Sequence, residues 1–174
     1  MSILPLVERL LAEQADSHIM VTTGTVTAAA IMADRLPERS FHQYSPLDTP
    51  GAVSGFLAHW QPDIALFVEQ ELWPNLITQT RARNVPMVLV NGRLSENSAR
   101  KWLRAPRSLR RAIFGAFDHI LAQDDLIADR FSALTDQPVT CAGNLKYAAR
   151  PLEVNEADLT DLQAAIGDRP VWLA

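Results

Sequence analysis

Two carboxylates, Glu69 and Glu71, stand in the stretch Val68-Glu69-Gln70-Glu71-Leu72-Trp73-Pro74-Asn75, where an apolar run must give way to a helix. The run before them, Asp63-Ile64-Ala65-Leu66-Phe67-Val68, is opened by Pro62 and rich in β-formers, which reads as a buried parallel strand. Pro74 suits the first turn of the helix that follows, where its missing N–H would have had no partner anyway. Acids at the carboxyl end of a strand in an open α/β sheet can bind a hydroxyl, accept its proton or position a basic partner. They can equally serve the fold, one capping the helix and favouring its dipole while the other is solvated.

The same arrangement recurs along the chain. His18 to Thr23 reads as a strand ending in Thr22-Thr23-Gly24-Thr25-Val26-Thr27, with an Ala-rich helix from Ala28 to Leu36 behind it. Ser40 to Tyr44 reads as the next strand, followed by Pro46, Asp48 and a helix from Pro50 to Trp60. Strands are also expected at Val85 to Val90, His119 to Ala122 and Pro138 to Ala142, leaving through Asn91-Gly92-Arg93, Gln123-Asp124-Asp125 and Gly143-Asn144-Leu145-Lys146. Strands and helices alternating at this spacing predict an α/β fold with a Rossmann-like, doubly wound parallel sheet. In such a sheet all six polar exits would line one edge, putting the acids beside Thr, His, Asn, Arg and Lys side chains in a common cleft.

Composition fits one α/β domain: 174 residues, 48% hydrophobic and 21% charged, enough chain for a substantial core. No run approaches the roughly 20 apolar residues of a membrane span, so the chain reads as soluble and without an anchor. The single cysteine, Cys141, falls inside a predicted strand, which reads as a buried thiol and excludes a disulfide or cysteine-cluster metal site within the chain. A net charge of −4 argues against a general nucleic-acid binder. Trp60 and Trp172 read as packing residues, and Trp73 as either packing or a stacking platform.

Charge is unevenly spread. From Asn97 to Phe117 there is no acid, while Arg100, Lys101, Arg104, Arg107, Arg110 and Arg111 lie among Trp102, Leu103, Leu109, Ile113 and Phe114. Such a basic amphipathic segment suits an anionic membrane surface or a phosphorylated ligand, and equally a solvated helix face packed on the sheet. Pro106 should divide it into two helices.

The series Thr22-Thr23-Gly24-Thr25-Val26-Thr27, His42-Gln43-Tyr44-Ser45-Pro46-Leu47-Asp48, Glu69-Gln70-Glu71-Leu72-Trp73-Pro74-Asn75, Asn91-Gly92-Arg93-Leu94-Ser95-Glu96-Asn97-Ser98 and Gly143-Asn144-Leu145-Lys146-Tyr147 resembles the 3-deoxy-D-manno-octulosonic acid (Kdo) transferases in order and interval. The resemblance implies the N-terminal, acceptor-side half of a GT-B glycosyltransferase. Its members move Kdo from CMP-Kdo to a lipid A precursor, in lipopolysaccharide biosynthesis at the cytoplasmic face of the bacterial inner membrane. It implies a cleft lined by Thr23, Thr25, Thr27, His42, Tyr44, Asp48, Trp73, Asn75, Asn91, Arg93, Ser95, Ser98, Asn144 and Lys146. Val26 and Ala28 depart from the proline and glycine usual in the Thr-rich loop.

The resemblance also implies absences. The family's membrane anchor, first strand and Ser-Val-Gly-Glu motif, whose glutamate is thought to be the general base, would precede Ile3 to Leu11. Arg169 to Ala174 resembles the first strand of a nucleotide-binding domain, so residues 1–168 are expected to form the acceptor domain and 169–174 the start of a missing one. With CMP-Kdo belonging to that absent half, the chain is expected to need no cofactor or metal of its own and to be inactive alone. Glu69 and Glu71 are then weak substitute bases, better suited to orienting Arg93, Lys146 or a sugar hydroxyl. A sheet without its first strand would have open edges beside 18–23 and beside 64–68 or 86–90. Val171 to Ala174, or a second chain, could fill the gap. Expected partners are therefore the lipid A precursor, a membrane surface at Arg100 to Arg111, and a separate nucleotide-binding chain or a second copy, with no nucleic acid. Alternatives from other classes are a non-catalytic glycolipid- or partner-binding module and another GT-B-like enzyme such as a nucleotide-sugar epimerase.

Overall fold

The computed structural model describes residues 3–148, 154–167 and 169–172. Along it run α1 (Leu4–Glu13), β1 (Ile19–Thr23), α2 (Val26–Arg35), β2 (Ser40–Tyr44), α3 (Pro50–Trp60), β3 (Ala65–Val68) and α4 (Pro74–Ala82). There follow β4 (Met87–Gly92), α5 (Glu96–Arg104), α6 (Arg107–Ile113), β5 (His119–Ala122), α7 (Asp125–Ser132), β6 (Val139–Cys141) and α8 (Glu156–Ile166). Every strand pairing is parallel, as a Rossmann-like α/β chain requires. Prolines occupy the first turns of α1, α3 and α4, and Thr25, Ser95 and Asp124 cap α2, α5 and α7 by accepting a backbone N–H. Pro106 separates α5 from α6, as its missing donor and its ring demand. Among the described residues no helix is long and apolar enough to cross a membrane.

The strands form two sheets rather than the expected one: β1 pairs with β2, and β3-β4-β5-β6 stand in that order. Among the described residues β1 has no strand on its other side and β3 none on its own, so edges lie open beside both, as expected. Val171 and Trp172 do not fill the break. They lie in no strand, and Trp172 is 96% exposed, which corrects its assignment as a packing residue; Leu173 and Ala174 lie outside the described residues. The two sheets are tied instead by α3 packing on α4 and by Asp48, from the loop after β2, bonding to the start of α4.

Burial is correspondingly lopsided. One continuous core runs from Phe67 to Leu134, built on Met87, Leu89 and Ile120 of the strands and on Phe114, Phe117 and Phe131. Phe114 meets Trp102 at 4.9 Å and Phe131 at 6.1 Å, and Phe67 meets Phe117 at 5.4 Å, all edge-to-face. The β1–β2 half buries only Val7, Leu11, Met32, Val53 and Leu57 among its described large residues. Ile19, Met20 and Val21 of β1 are only half-buried, although their types suit a covered strand. Cys141 corrects another expectation: β6 is a three-residue edge strand, so its thiol is exposed.

Two positions give direct tests of these energetics. Thr80 is buried in the core with its hydroxyl unpartnered. Thr80→Val should therefore stabilise the chain by about 1 kcal/mol, raising the urea midpoint at constant m. Asp118 joins the amino ends of β4 and β5, accepting from the Met87 N–H at 2.9 Å and from Arg81 at 3.0 Å. The Met87 bond, helped by Arg81 and opposed by burial, holds its carboxyl below the usual carboxylate range. A depressed carboxylate stabilises the fold above its unfolded pKa and loses that contribution as pH falls through the folded one. Asp118→Asn should thus cost up to about 1 kcal/mol at neutral pH, the gap to wild type closing as pH falls below about 4. A gap independent of pH would contradict this.

Candidate functional site

The exits of β3, β4 and β5 and the loop after β6 converge on one buried residue, Asn91. Glu69 and Asn91 end β3 and β4 in the left-handed region, at φ 58° and 53°, a conformation that costs non-glycine residues energy and concentrates at functional sites. The ladder continues through them: the Glu69 N–H donates to Val90 O at 3.0 Å, and the Arg93 N–H to Glu69 O at 3.2 Å. The register between β4 and β5 slips between Leu89 and Gly92, a bulge that re-aims the residues it contains. The packing around Gly92 is close: a Cβ there would lie 3.1 Å from the Phe131 ring and 3.3 Å from Leu121 O.

Asn91, placed by the sequence in the cleft lining, is instead 2% exposed. Its Oδ1 accepts the Leu145 N–H at 3.1 Å, its Nδ2 reaches Glu69 Oε1 at 3.5 Å, and its carbonyl accepts from Gln123 Nε2 at 3.1 Å. Asn91 thus joins all four strand exits of the larger sheet, β3 and β6 through its side-chain amide and β5 through its backbone carbonyl. Gln123 was not among the residues assigned to the site; its position directly after β5 was the available signal. Arg130, which holds the 93–95 turn through Leu94 O at 2.8 Å, sits inside α7 with no such signal.

The two acids diverge. Glu69 is half-buried beside Asn91, whereas Glu71 is exposed and accepts the Trp73 indole N–H at 2.6 Å. That bond fixes Trp73, which remains exposed and presents an aromatic face to solvent. Arg93 and Lys146 are exposed cations with no ion pair among the described residues. Lys146 follows an Asx turn in which Asn144 Oδ1 accepts its N–H at 3.0 Å.

The smaller sheet contributes a second group. Thr23 Oγ1 and His42 Nε2 are 2.8 Å apart, and the His42 ring meets Tyr44 edge-on at 5.2 Å. Thr25 caps α2 through the Ala28 N–H, and Thr27 is exposed one residue inside that helix. Several candidate polar atoms are already engaged by the fold. Both Asp48 oxygens accept backbone N–H groups, from Asn75 at 3.1 Å and Leu76 at 2.9 Å, and Asn75 Nδ2 returns a bond to Asp48 O at 2.7 Å. Ser95 caps α5 and bonds Ser98 Oγ at 3.0 Å. Among the described residues no three His, Cys, Asp or Glu side chains are grouped to hold a metal ion. A groove of about 320 Å³ runs between α5 and α7, lined by Leu103, Leu126, Arg100 and Arg130, and shares no residue with the strand exits. The exits bring together Glu69, Arg93, Lys146 and the left-handed backbone of Glu69 and Asn91, which makes them the candidate site.

The basic segment divides by face. Trp102, Ile113 and Phe114 pack into the core, while Lys101, Arg104, Arg107 and Arg111 are exposed beside Leu103 and Leu109, themselves 48% and 45% exposed. Arg100 is engaged by Glu96 at 2.6 Å.

Residues 1–149 match the family model described as 3-deoxy-D-manno-octulosonic-acid transferase (kdotransferase). The chain belongs to the Kdo transferase family. It is 32% identical over 182 residues to a probable mitochondrial Kdo transferase of Arabidopsis thaliana, which covers 100% of this chain and 40% of that protein. The Kdo transferase of Rickettsia felis is 32% identical over 98% of this chain and 36% of its own length, and that of Bordetella pertussis 37% identical over 82% and 34%. The chain therefore spans about two-fifths or less of these Kdo transferases, and the strand exits described above lie within the matched stretch.

Proposed function

We propose that this chain is the acceptor-side domain of a GT-B Kdo transferase that moves Kdo from CMP-Kdo to a lipid A precursor in lipopolysaccharide biosynthesis. The observation carrying this reading is the ring of strand exits around Asn91, within a stretch that matches Kdo transferases over 98–100% of this chain but 36–40% of theirs. Transfer requires an activated donor, a base beside the attacking hydroxyl and cations for the departing phosphate. Glu69, Trp73, Arg93 and Lys146 suit a phosphorylated amino sugar: a carboxylate for hydroxyls, a ring face for stacking, cations for phosphate. Thr23, Thr27, His42 and Tyr44 would line the other side of the cleft, with Thr25, Asp48, Asn75, Ser95, Ser98 and Asn144 holding its walls.

The exposed cations and leucines of α5 and α6 would rest on the anionic cytoplasmic face of the inner membrane, where the acceptor resides; each cation near such a surface contributes about 1 kcal/mol. The donor would bind outside this chain, on a separate domain or partner. The isolated chain is expected to bind the lipid A precursor in detergent and to release no CMP from CMP-Kdo. Acceptor-dependent CMP release by the chain alone would overturn the division of labour, and absence of acceptor binding would overturn the acceptor assignment.

A further inference from the structure

Asn91 is a polar side chain that the fold has buried at some expense, in a left-handed conformation and beside a bulge. A buried carboxamide is tolerated when its hydrogen-bonding capacity is used. Here its oxygen is well bonded, to the Leu145 N–H at 3.1 Å, while its nitrogen makes a long contact of 3.5 Å with Glu69 Oε1. The well-bonded side holds the turn carrying Lys146; the loosely bonded side faces a half-buried acid. An apolar residue would fill the same space without linking the two.

We propose, resting on the acceptor reading above, that Asn91 is a positioning residue: it fixes the Lys146 turn relative to Glu69 so that one cation and one carboxylate engage the same phosphorylated sugar. The Asn91 side chain thus spans the exit that carries Glu69 and the turn that carries Lys146, and the bond to the Leu145 N–H holds that turn in place. Lys146 is the group that touches the ligand, and Asn91 acts through it.

The probe is a soluble glucosamine disaccharide 1,4′-bisphosphate, titrated calorimetrically onto the full chain well below its unfolding temperature. Lys146→Ala should bind roughly tenfold more weakly, the worth of one charge-assisted hydrogen bond, and with a flatter salt dependence. Asn91→Ser should lose a comparable factor while remaining folded by circular dichroism, and the double variant should lose no more than Lys146→Ala alone. Additive losses, or unchanged binding in Asn91→Ser, would show that the amide serves folding only. Should Asn91→Ser not fold, hydrogen exchange on the wild type decides: the Leu145 amide should slow on probe binding, and an unchanged rate overturns the proposal. No binding by the wild type overturns the acceptor reading and this inference together, whereas binding with additive losses overturns this inference alone.

Discussion

Phe114→Ala should lower the unfolding free energy by about 4 kcal/mol, the upper range for truncating a fully buried aromatic. The ring is completely inaccessible and lies between Trp102 of α5 and Phe131 of α7. Its removal takes away both edge-to-face contacts and leaves a cavity that two helices and a short 3-10 turn would have to close over. Trp102 holds the basic helix to the core through this contact, so the damage should extend to the surface bearing Lys101 and Arg104. Urea denaturation followed separately by circular dichroism and by tryptophan fluorescence checks the magnitude. An unchanged midpoint would mean that the aromatic cluster does not secure the basic segment.

Asp48→Ala should cost about 3 kcal/mol, because the carboxylate accepts two backbone N–H groups at the start of α4 and both would lose their partner. The effect should be uneven in space. Asp48 leaves β2 and holds a helix of the other sheet, so amide exchange should accelerate most in β1 and β2 and least in β4 and β5. Asp48→Asn retains one acceptor and should fall between the two. If β1 and β2 exchange as in the wild type, the two sheets are held together by α3 and α4 alone.

The sequence made the elements readable because each carries its own period and punctuation. Val85 to Val90 is apolar and β-branched, Pro74 and Pro50 start helices, and Pro106 interrupts one. Strand pairing was another matter. Ile19-Met20-Val21 reads as a covered strand whatever lies beside it, so the break between β1 and β3 leaves no trace in local pattern. Cys141 was misplaced for the same reason, since a short apolar strand looks identical at the centre and at the edge of a sheet.

The site was legible as a set of strand exits but not as a division of labour. Asn91 follows an apolar strand as any cleft residue would; only its left-handed backbone and the bulge turn it inward. Asp48 looks like a ligand-facing acid because its use, capping a helix 27 residues away, is a tertiary fact. Glu69 and Glu71 are two residues apart and look like a pair, yet the φ of Glu69 sends one to Asn91 and leaves the other with Trp73.

The split of the sheet has a colloidal consequence. Two sheets have four rims instead of two, formed by β1, β2, β3 and β6. Ile-Met-Val-Thr-Thr, Ser-Phe-His-Gln-Tyr, Ala-Leu-Phe-Val and Val-Thr-Cys contain no lysine, arginine, acid or proline, the gatekeepers that keep such rims from recruiting foreign strands. What limits recruitment of a foreign strand is then their length: the rims are strands of 5, 5, 4 and 3 residues, too short to template a long ladder.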